Sequence, residues 1–215
     1  MFKLSKTIKN NKQRLAHRQA GMTYVELIVV LGIFAVMSSI VMFNYGEFQA
    51  KIDIKNLASD IALKIVEAQK SSLSGKLSIP PPIISSWKPS YGIYFNSSLA
   101  LDIDGIPFNK KFIYFADLDN ANGYNIVTEK LDTISIMKGY FIDKIDRCTG
   151  TDCSPIVPIS PLAITFKRPD SSVSFKDSTG TTLASGFDYI KITIKSPKAS
   201  TAAIKIYPSG RIQVN

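Results

Sequence analysis

Hydrophobic and polar positions divide the chain into stretches with different periods. Residues 27–43 are almost continuously apolar, broken only by one glycine and two serines. From Glu47 to Leu73 the apolar residues recur at spacings of three and four, so they share one helical face. They are Ile54, Leu57, Ala58, Ile61, Ile65 and Ala68. The two stretches together predict one long helix over 23–74, loosened near 44–46 and ended by Gly75.

After a proline-rich stretch at 76–90 the apolar period changes to two, which predicts β-strands. The clearest strands are 162–166, 190–194, 204–206 and 212–214, and the last two flank a Pro-Ser-Gly turn that predicts a hairpin. Further predicted strands are Tyr91–Asn96, Lys111–Ala116, Thr133–Met137 and Tyr140–Ile145. Local alternation between turns favours antiparallel pairing. The predicted fold class is therefore α+β, with the long N-terminal helix packed on a C-terminal antiparallel β-sheet domain.

Charge is concentrated at the start of the chain. The net charge is +9, but residues 1–21 hold six lysines and arginines and no acid. Without this segment 20 basic residues (26 − 6) face 17 acidic ones, which gives a net charge of +3. Lysine and arginine that flank a membrane span remain on the cytoplasmic side. The basic segment therefore predicts membrane topology rather than a nucleic-acid partner.

The apolar stretch 27–43 is long enough to serve as a membrane anchor. An ordinary secretory signal is an alternative, but its apolar region is about 7–15 residues long and a small-residue cleavage site follows it. No Ala-x-Ala site follows this stretch, although a plain signal anchor remains open. Glu26 lies near the start of the span. A charge in the bilayer is costly, so this acid calls for a partner and indicates a function.

The junction between the basic and apolar segments reads Gly21-Met22-Thr23-Tyr24-Val25-Glu26. It resembles the cleavage signal of type IV prepilins and type II secretion pseudopilins. In that family a glycine precedes a hydrophobic first mature residue, and a glutamate lies fifth after the cut. Gly21, Met22 and Glu26 occupy these places, and Met22 departs from the usual phenylalanine. The resemblance is specific over about 19–43 and looser beyond.

The resemblance implies that a prepilin peptidase cuts after Gly21 and that the new amine on Met22 is methylated. Glu26 would then pair with the amine of a neighbouring subunit during assembly, which offsets its desolvation. The implied partners are other pilin or pseudopilin subunits, the peptidase, the inner-membrane assembly platform and membrane lipid. The implied location is the cytoplasmic membrane, with a cytoplasmic N-terminus and an extracytoplasmic globular domain, and then a pilus or pseudopilus at the cell surface.

The resemblance and the periods together give four segments. They are a basic leader at 1–21, a transmembrane and assembly half of the helix at 22–45, an amphipathic half at 46–75 and an antiparallel β domain at 76–215. The closing strands and the helix at 58–72 also resemble those of H-type minor pseudopilins. The expected function is a structural, minor subunit of a type IV pilus or type II secretion pseudopilus. The alternative is a membrane-anchored binding protein that does not polymerise.

The chain has two cysteines, Cys148 and Cys153. Both follow the span, on the side opposite the basic leader, where an oxidising environment favours a disulfide. The bridge would close a short loop and contribute about 2 kcal/mol in the chain-entropy model. Two free thiols are the alternative. Metal binding by this pair alone is disfavoured, because structural zinc takes four ligands.

Residues 117–129 are rich in oxygen-bearing side chains. Asp117, Asp119, Asn122 and Glu129 can serve as calcium ligands, because this ion takes several carboxylate and amide oxygens from alternating loop positions. An EF-hand register fits only with a one-residue insertion. The alternative is a polar Asn-Gly turn between two strands. Of the two interpretations the polar turn is the favoured one, so calcium is the alternative and no other cofactor is expected.

Two further activities are weighed against structural explanations. Lysines and an arginine crowd the C-terminal part of the chain and can hold DNA phosphates, or they can form a solvated strand face; they are Lys191, Lys195, Lys198, Lys205 and Arg211. The low net charge after the leader favours the solvated face, so DNA is the less favoured partner. Catalysis is not expected, since His17, the only histidine, lies in the leader and no nucleophile is framed by a base.

Overall fold

In a computed structural model of the chain, the described residues are 21–78, 81, 88–121, 123–125, 128–169, 172–177 and 179–215. The leader residues 1–20 and the predicted calcium ligand Asn122 therefore lie outside the described residues. The chain divides into two compact units, Met1–Asn44 and Tyr45–Asn215.

One helix, α1, runs over Tyr24–Ser74. It begins after Thr23, whose hydroxyl oxygen accepts a hydrogen bond from the backbone amide of Glu26, as a helix N-cap does. It ends at Gly75, which has a positive φ of 68°. The amide of Lys76 donates to the carbonyl of Ser71, so the end is a Schellman-type cap that requires the left-handed conformation of glycine. The helical assignment is continuous through 44–46, where loosening was expected.

Within the described residues ten strands follow, with one 3₁₀ turn at Phe108–Lys110 between the first and the second. They are β1 (Ser90–Phe95), β2 (Lys111–Asp117), β3 (Lys130–Ser135), β4 (Phe141–Cys148), β5 (Val157–Pro158), β6 (Leu162–Phe166), β7 (Val173–Lys176), β8 (Tyr189–Lys195), β9 (Thr201–Ile206) and β10 (Ile212–Val214). They form two five-stranded sheets. The first has the order β3-β2-β1-β6-β7 and the second the order β10-β9-β8-β4-β5, and all their pairings are antiparallel.

The core lies where the amphipathic part of α1 meets both sheets. The helical stripe contributes side chains that are at most 1% exposed, namely Ile54, Ala58, Ile61, Ile65 and Ala68. Alternate residues of the strands complete the core, because successive side chains of a strand point to opposite faces. The first sheet supplies Tyr91, Ile93, Phe95, Ile164 and Phe166, and the second supplies Ile190, Ile192, Ile194, Ile204 and Ile206.

The predicted α+β fold class is confirmed: one long apolar N-terminal helix packs on an antiparallel β domain. The strand predicted at 133–137 instead occupies Lys130–Ser135, and the strands β5 and β7 were not predicted. β5 has only two residues, too few to show a period. In β7, Val173 and Phe175 face the core, but four residues between polar segments give a weak alternation signal.

Gly92 lies at a close approach between three strands of the first sheet. It pairs with Phe115 of β2 and with Thr165 of β6. A Cβ atom at this position would lie 2.5 Å from the ring of Phe115 and would also meet the carbonyl oxygen of Ile164. The aromatic ring occupies the space that a side chain at residue 92 would need, so this position accepts only glycine.

Candidate functional site

Four places in the chain carry groups that the sequence singles out for function, and the first is the start of α1. Thr23 caps the helix through the amide of Glu26, at 3.3 Å, and the amide of Leu27 donates to the Thr23 carbonyl at 3.1 Å. The carboxylate of Glu26 is in the first turn, where a negative charge complements the helix dipole. Glu26 is exposed and takes part in no ion pair within the described residues. Its position therefore suits both a local capping role and a contact with another chain.

The apolar half of the helix does not contribute to the buried core. Its side chains are exposed throughout, with Phe34 at 68% and Phe43 at 83%. Among the described residues, α1 is the one helix long and apolar enough to cross a membrane, and none of its apolar window is buried. A soluble core helix would bury such a window, so a membrane is the environment that fits these side chains.

The second place is an acidic cluster, defined as Asp117, Asp119 and Glu129. Asp117 is the last residue of β2, Glu129 directly precedes β3, and Asp119 lies on the loop between these strands. One carboxylate oxygen from each residue lies within 4.8 Å of the other two. The pairing of β2 with β3 brings Glu129 back beside Asp117, since the amide of Ala116 donates to the Glu129 carbonyl at 3.1 Å. The structure thus brings together three of the four predicted calcium ligands.

Hydrogen bonds hold the carboxylates of the acidic cluster in place. Glu129 accepts from the amide of Leu118 at 2.9 Å and from that of Asn125 at 2.7 Å. The amide of Ala121 donates to both Asp117 and Asp119, at 3.1 and 2.8 Å. Burial raises the pKa of Glu129, and these backbone hydrogen bonds oppose the shift. A carboxylate oxygen can accept more than one contact, so the set suits a hard cation such as calcium.

A cavity of about 510 Å³ opens beside the acidic cluster. The ring of Tyr124 covers part of this side of the first sheet, with centroid distances of 4.7 Å to Tyr94 and 5.2 Å to Phe115. Asp119 and Glu129 line the cavity together with Tyr94 and Tyr124. Burial, followed by the nearby charge of Asp102, raises the pKa of the Tyr124 phenol.

Sequence reasoning missed a buried lysine next to this region. Lys111, the first residue of β2, is 1% exposed, and its ammonium lies 2.5 Å from Asp102 and 2.9 Å from Asp104. Burial alone would lower the pKa of Lys111, but the hydrogen bonds and charges of the two aspartates raise it overall. The available signal was a lysine that begins an apolar run, Lys111-Phe112-Ile113-Tyr114-Phe115.

The third place is the pair of cysteines. Cys148 and Cys153, which are five residues apart, form a disulfide that closes the predicted short loop. The bridge packs on Tyr189, whose hydroxyl donates to the Thr151 carbonyl inside the closed loop at 3.2 Å. The amide of Gly150 donates to Asp188 at 2.5 Å. The disulfide therefore has a structural role in the loop that follows β4 of the second sheet.

The structure separates the basic residues of the C-terminal region into two groups. Lys191 and Lys205 lie directly opposite each other on β8 and β9, and Lys195 follows along the same strand face. Lys205 and Arg211 stack over the rings of Tyr189 and Tyr207, at 4.7 and 3.8 Å from the centroids. By contrast, Lys198 lies on the turn after β8 and donates to the Gly46 carbonyl at 3.3 Å. Four of the five cations thus share one sheet surface.

Two fimbrial proteins of Pseudomonas aeruginosa are each 29% identical to the chain over 90 residues. The alignment covers 40% of this chain and 55% of each relative, so the chain spans about half the length of the curated relatives it matches. No protein-family profile and no solved structure matches the chain. The similarity supports a relationship to the pilin family and a pilus-related structural role. Together with the apolar helix, it fits a membrane-anchored, surface-exposed protein.

Proposed function

We propose that this chain is a structural, minor subunit of a type IV pilus or a type II secretion pseudopilus. It enters the membrane as a prepilin, is cut between Gly21 and Met22, and assembles through its apolar N-terminal helix. The observation that carries the proposal is the exposed apolar half of α1, which continues into an antiparallel domain and bears one acid in its first turn. The fimbrial relatives support the same class of function.

The membrane half of the helix is suited to pack against copies of itself. Its aliphatic and aromatic side chains are exposed on all sides, which suits lipid before assembly and a helical bundle after it. Glu26 is a cost in both environments unless a cation meets it. Cleavage would create such a cation at Met22, one helical turn away from Glu26. The partner amine in an assembled filament belongs to a neighbouring subunit.

Glu26 provides the experiment that tests this proposal. In a host that assembles filaments from this chain, Glu26→Ala should leave membrane insertion and cleavage unchanged but abolish incorporation into filaments. The Thr23 cap engages the amide of residue 26, so the substitution keeps the helix start. Glu47→Ala removes an exposed acid from the same helix outside the span and is the matched control. Incorporation is measured by immunoblotting of sheared filaments against whole cells.

Processing is tested independently of assembly. Peptide mass spectrometry of the mature protein should find an N-terminus at Met22, with a mass increase for one methyl group. An intact leader in assembled material, or a cut beyond Phe43, would contradict processing by a prepilin peptidase. Normal incorporation of Glu26→Ala would show that Glu26 is not needed for assembly. Absence of the unaltered protein from filaments would instead favour the alternative function, a membrane-anchored binding protein that does not polymerise.

The alternative function is favoured by one observation, the surface of the second sheet that carries Lys191 and Lys205 opposite each other. Like charges directly across two strands disfavour the pairing. A polyanion such as DNA would relieve that repulsion. Lysine is also common on a solvated strand face, and this explanation needs no ligand. We therefore rank binding below assembly. A calcium ion held by the acidic cluster is the one cofactor that we propose.

A further inference from the structure

Two turns of the β domain meet the part of α1 that directly follows the apolar stretch. The turn between β3 and β4 carries Lys138, and the turn between β8 and β9 carries Lys198. The ammonium of Lys138 lies 3.0 Å from a carboxylate oxygen of Asp53. The ammonium of Lys198 donates a hydrogen bond to the carbonyl oxygen of Gly46 at 3.3 Å. The fold therefore brings lysines from two separate hairpins to the same segment of the helix.

Lys138 and Lys198 line one cavity of about 240 Å³, which we call the dilysine cavity. Gly46 of the helix and Ser196 of the turn after β8 line it as well. A water molecule takes about 30 Å³ in the liquid, so the cavity has room for a group several times as large, such as a phosphate. The two lysines make an anion the expected kind of occupant.

The positive charge of the dilysine cavity is only partly compensated. Asp53 is the one acid among the described residues that line it, so two cations and one anion give a net charge of +1. The Asp53 carboxylate pairs with Lys138 and also accepts from the side-chain amide of Gln49 at 2.9 Å. Lys198 has a neutral carbonyl as its partner and forms no ion pair within the described residues. Its charge is therefore free to attract an anion.

A buried hydroxyl adds a hydrogen-bond donor to the cavity. Ser196 is 2% exposed, and its hydroxyl oxygen accepts from the amides of Lys198 and Ser200 at 3.1 and 3.2 Å. A hydroxyl that accepts two hydrogen bonds still has its own proton to donate. Within the described part of the chain no acceptor takes this proton. The buried donor therefore needs an acceptor from outside the domain, and an anion in the cavity provides one.

The distance along α1 indicates which anion is available. From Tyr24 to Phe43 the helix is about 30 Å long at 1.5 Å per residue, the thickness of a bilayer's hydrocarbon core. Gly46 follows Phe43 by three residues, or about 4.5 Å of helix. The headgroup layer on each side of the core is about 5–7 Å thick, so Gly46 and the Lys198 ammonium on its carbonyl lie among the headgroups. Tyr45, 62% exposed, is a residue type enriched at this depth.

We propose that the dilysine cavity binds the phosphate of an anionic lipid headgroup in the membrane that α1 crosses. Lys138 and Lys198 supply the positive charge, and the Ser196 hydroxyl donates a hydrogen bond to a phosphate oxygen. The contact holds the β domain at the membrane surface until the span leaves the bilayer. It goes beyond the proposed function and requires only the membrane span, so it applies equally to a filament subunit and to a plain anchor.

Lysine acetylation of the full chain in lipid nanodiscs tests the site. Discs of phosphatidylcholine alone are compared with discs that also contain phosphatidylglycerol, and peptide mass spectrometry gives the acetylation rate at each lysine. Phosphatidylglycerol should slow acetylation of Lys138 and of Lys198 about fivefold, which corresponds to about 1 kcal/mol for a lysine at an anionic surface. Lys176, a half-buried lysine of β7 in the first sheet, should react at the same rate in both kinds of disc.

Substitution of Lys198 separates a shared phosphate from general attraction to a charged surface. Lys198→Gln should abolish the protection of Lys138 by phosphatidylglycerol, because one phosphate contacts both ammonium groups. Lys198→Arg keeps the charge and should keep the protection. Lys51→Gln is the matched control, since it removes an exposed lysine of the same helix that does not line the cavity, and it should leave Lys138 protected. Circular dichroism checks that each variant keeps its fold.

Three results would overturn the proposal. The first is an equal acetylation rate of Lys198 in the two kinds of disc. The second is protection of Lys138 that persists in Lys198→Gln, since the surface potential alone would then explain it. The third is equal protection by inorganic phosphate in discs of phosphatidylcholine, which would show a site for a soluble anion. No readout here requires filaments, so failure of this site and failure of the proposed function, tested with Glu26→Ala, are distinguished.

Discussion

The ammonium of Lys111 lies 2.5 Å from a carboxylate oxygen of Asp102, and both side chains are almost completely buried. This pair ties the start of β2 to the loop that precedes it. The cost of burying two charges is large, and close hydrogen-bonded contact offsets it. A carboxylate oxygen of Asp104 lies 2.9 Å from the same ammonium, so Lys111 binds the loop at two positions.

Removing Lys111 should destabilise the fold strongly. Lys111→Ala leaves the Asp102 carboxylate buried without its cation, which costs about 3–5 kcal/mol when a buried pair is broken. Lys130→Ala is the matched control, because Lys130 is 38% exposed and lies 3.6 Å from Asp104; we expect a loss below about 1 kcal/mol. Urea denaturation of the full chain in detergent measures both.

A second substitution separates the unpaired charge from the lost volume. Asp102→Asn in the Lys111→Ala background should recover part of the stability, since no buried charge then remains unpaired. Equal stability of the single and double variants would show that packing, and not charge, sets the loss.

The same ion pairs make the stability of the fold depend on pH. The hydrogen bond from Lys111 lowers the pKa of Asp104, so the stabilisation from Asp104 is present above about pH 4 and is lost as the pH falls through the folded-state pKa. The raised pKa of Lys111 gives stabilisation that is complete below about pH 10.4 and is lost as the pH rises through its folded-state value.

We therefore expect this network to leave the urea midpoint constant between about pH 5 and 9. At lower and at higher pH the midpoint should decrease. Lys111→Ala should weaken the acid dependence. Some dependence should persist, because Lys138 lowers the pKa of Asp53 in the same way. If Lys111→Ala lost stability at acid pH to the same extent as the unaltered protein, Asp104 would not contribute to the acid dependence.

Gly92→Ala should destabilise the β domain by about 1–3 kcal/mol, the usual cost of overpacking a tight core. The new methyl group would meet the Phe115 ring and the Ile164 carbonyl. Gly105→Ala is a useful comparison, because nothing lies within 4 Å of its Cβ position and its positive φ of 72° is the one source of strain. Addition of Phe115→Leu should relieve part of the Gly92→Ala loss. Thermal melting of the three variants provides the measurement.

Calcium should raise the melting temperature if the acidic cluster binds it. Ligand that binds only the folded state adds about 2.7 kcal/mol at a hundredfold excess over its dissociation constant. Asp117→Ala and Asp119→Ala should each remove the response to millimolar calcium and to chelator. Asp152→Ala, which changes an exposed acid in the disulfide loop, should keep it. A melting temperature indifferent to calcium in the unaltered protein would identify the segment as a polar turn.

The acidic cluster shows how far a sequence can locate a site. Asp117 and Glu129 are twelve positions apart, and their residue types alone indicated oxygen ligands. Their proximity depends on the pairing of β2 with β3, which has a register shift between Tyr114 and Phe115. A one-residue change of register turns a side chain to the other face of a sheet, so spacing alone could not bring these carboxylates together.

The sequence by itself determined the long helix, its buried stripe and the strands with clear alternation, because these follow from local periods of apolar residues. It also supplied the disulfide partners, since only two cysteines follow the span. Tertiary structure decided the division into two sheets, the burial of Lys111 and the exposure of Leu99, Leu101 and Ile103. Strand order and loop direction are set by contacts between residues far apart in the chain, and local pattern holds no information on which strand lies beside which.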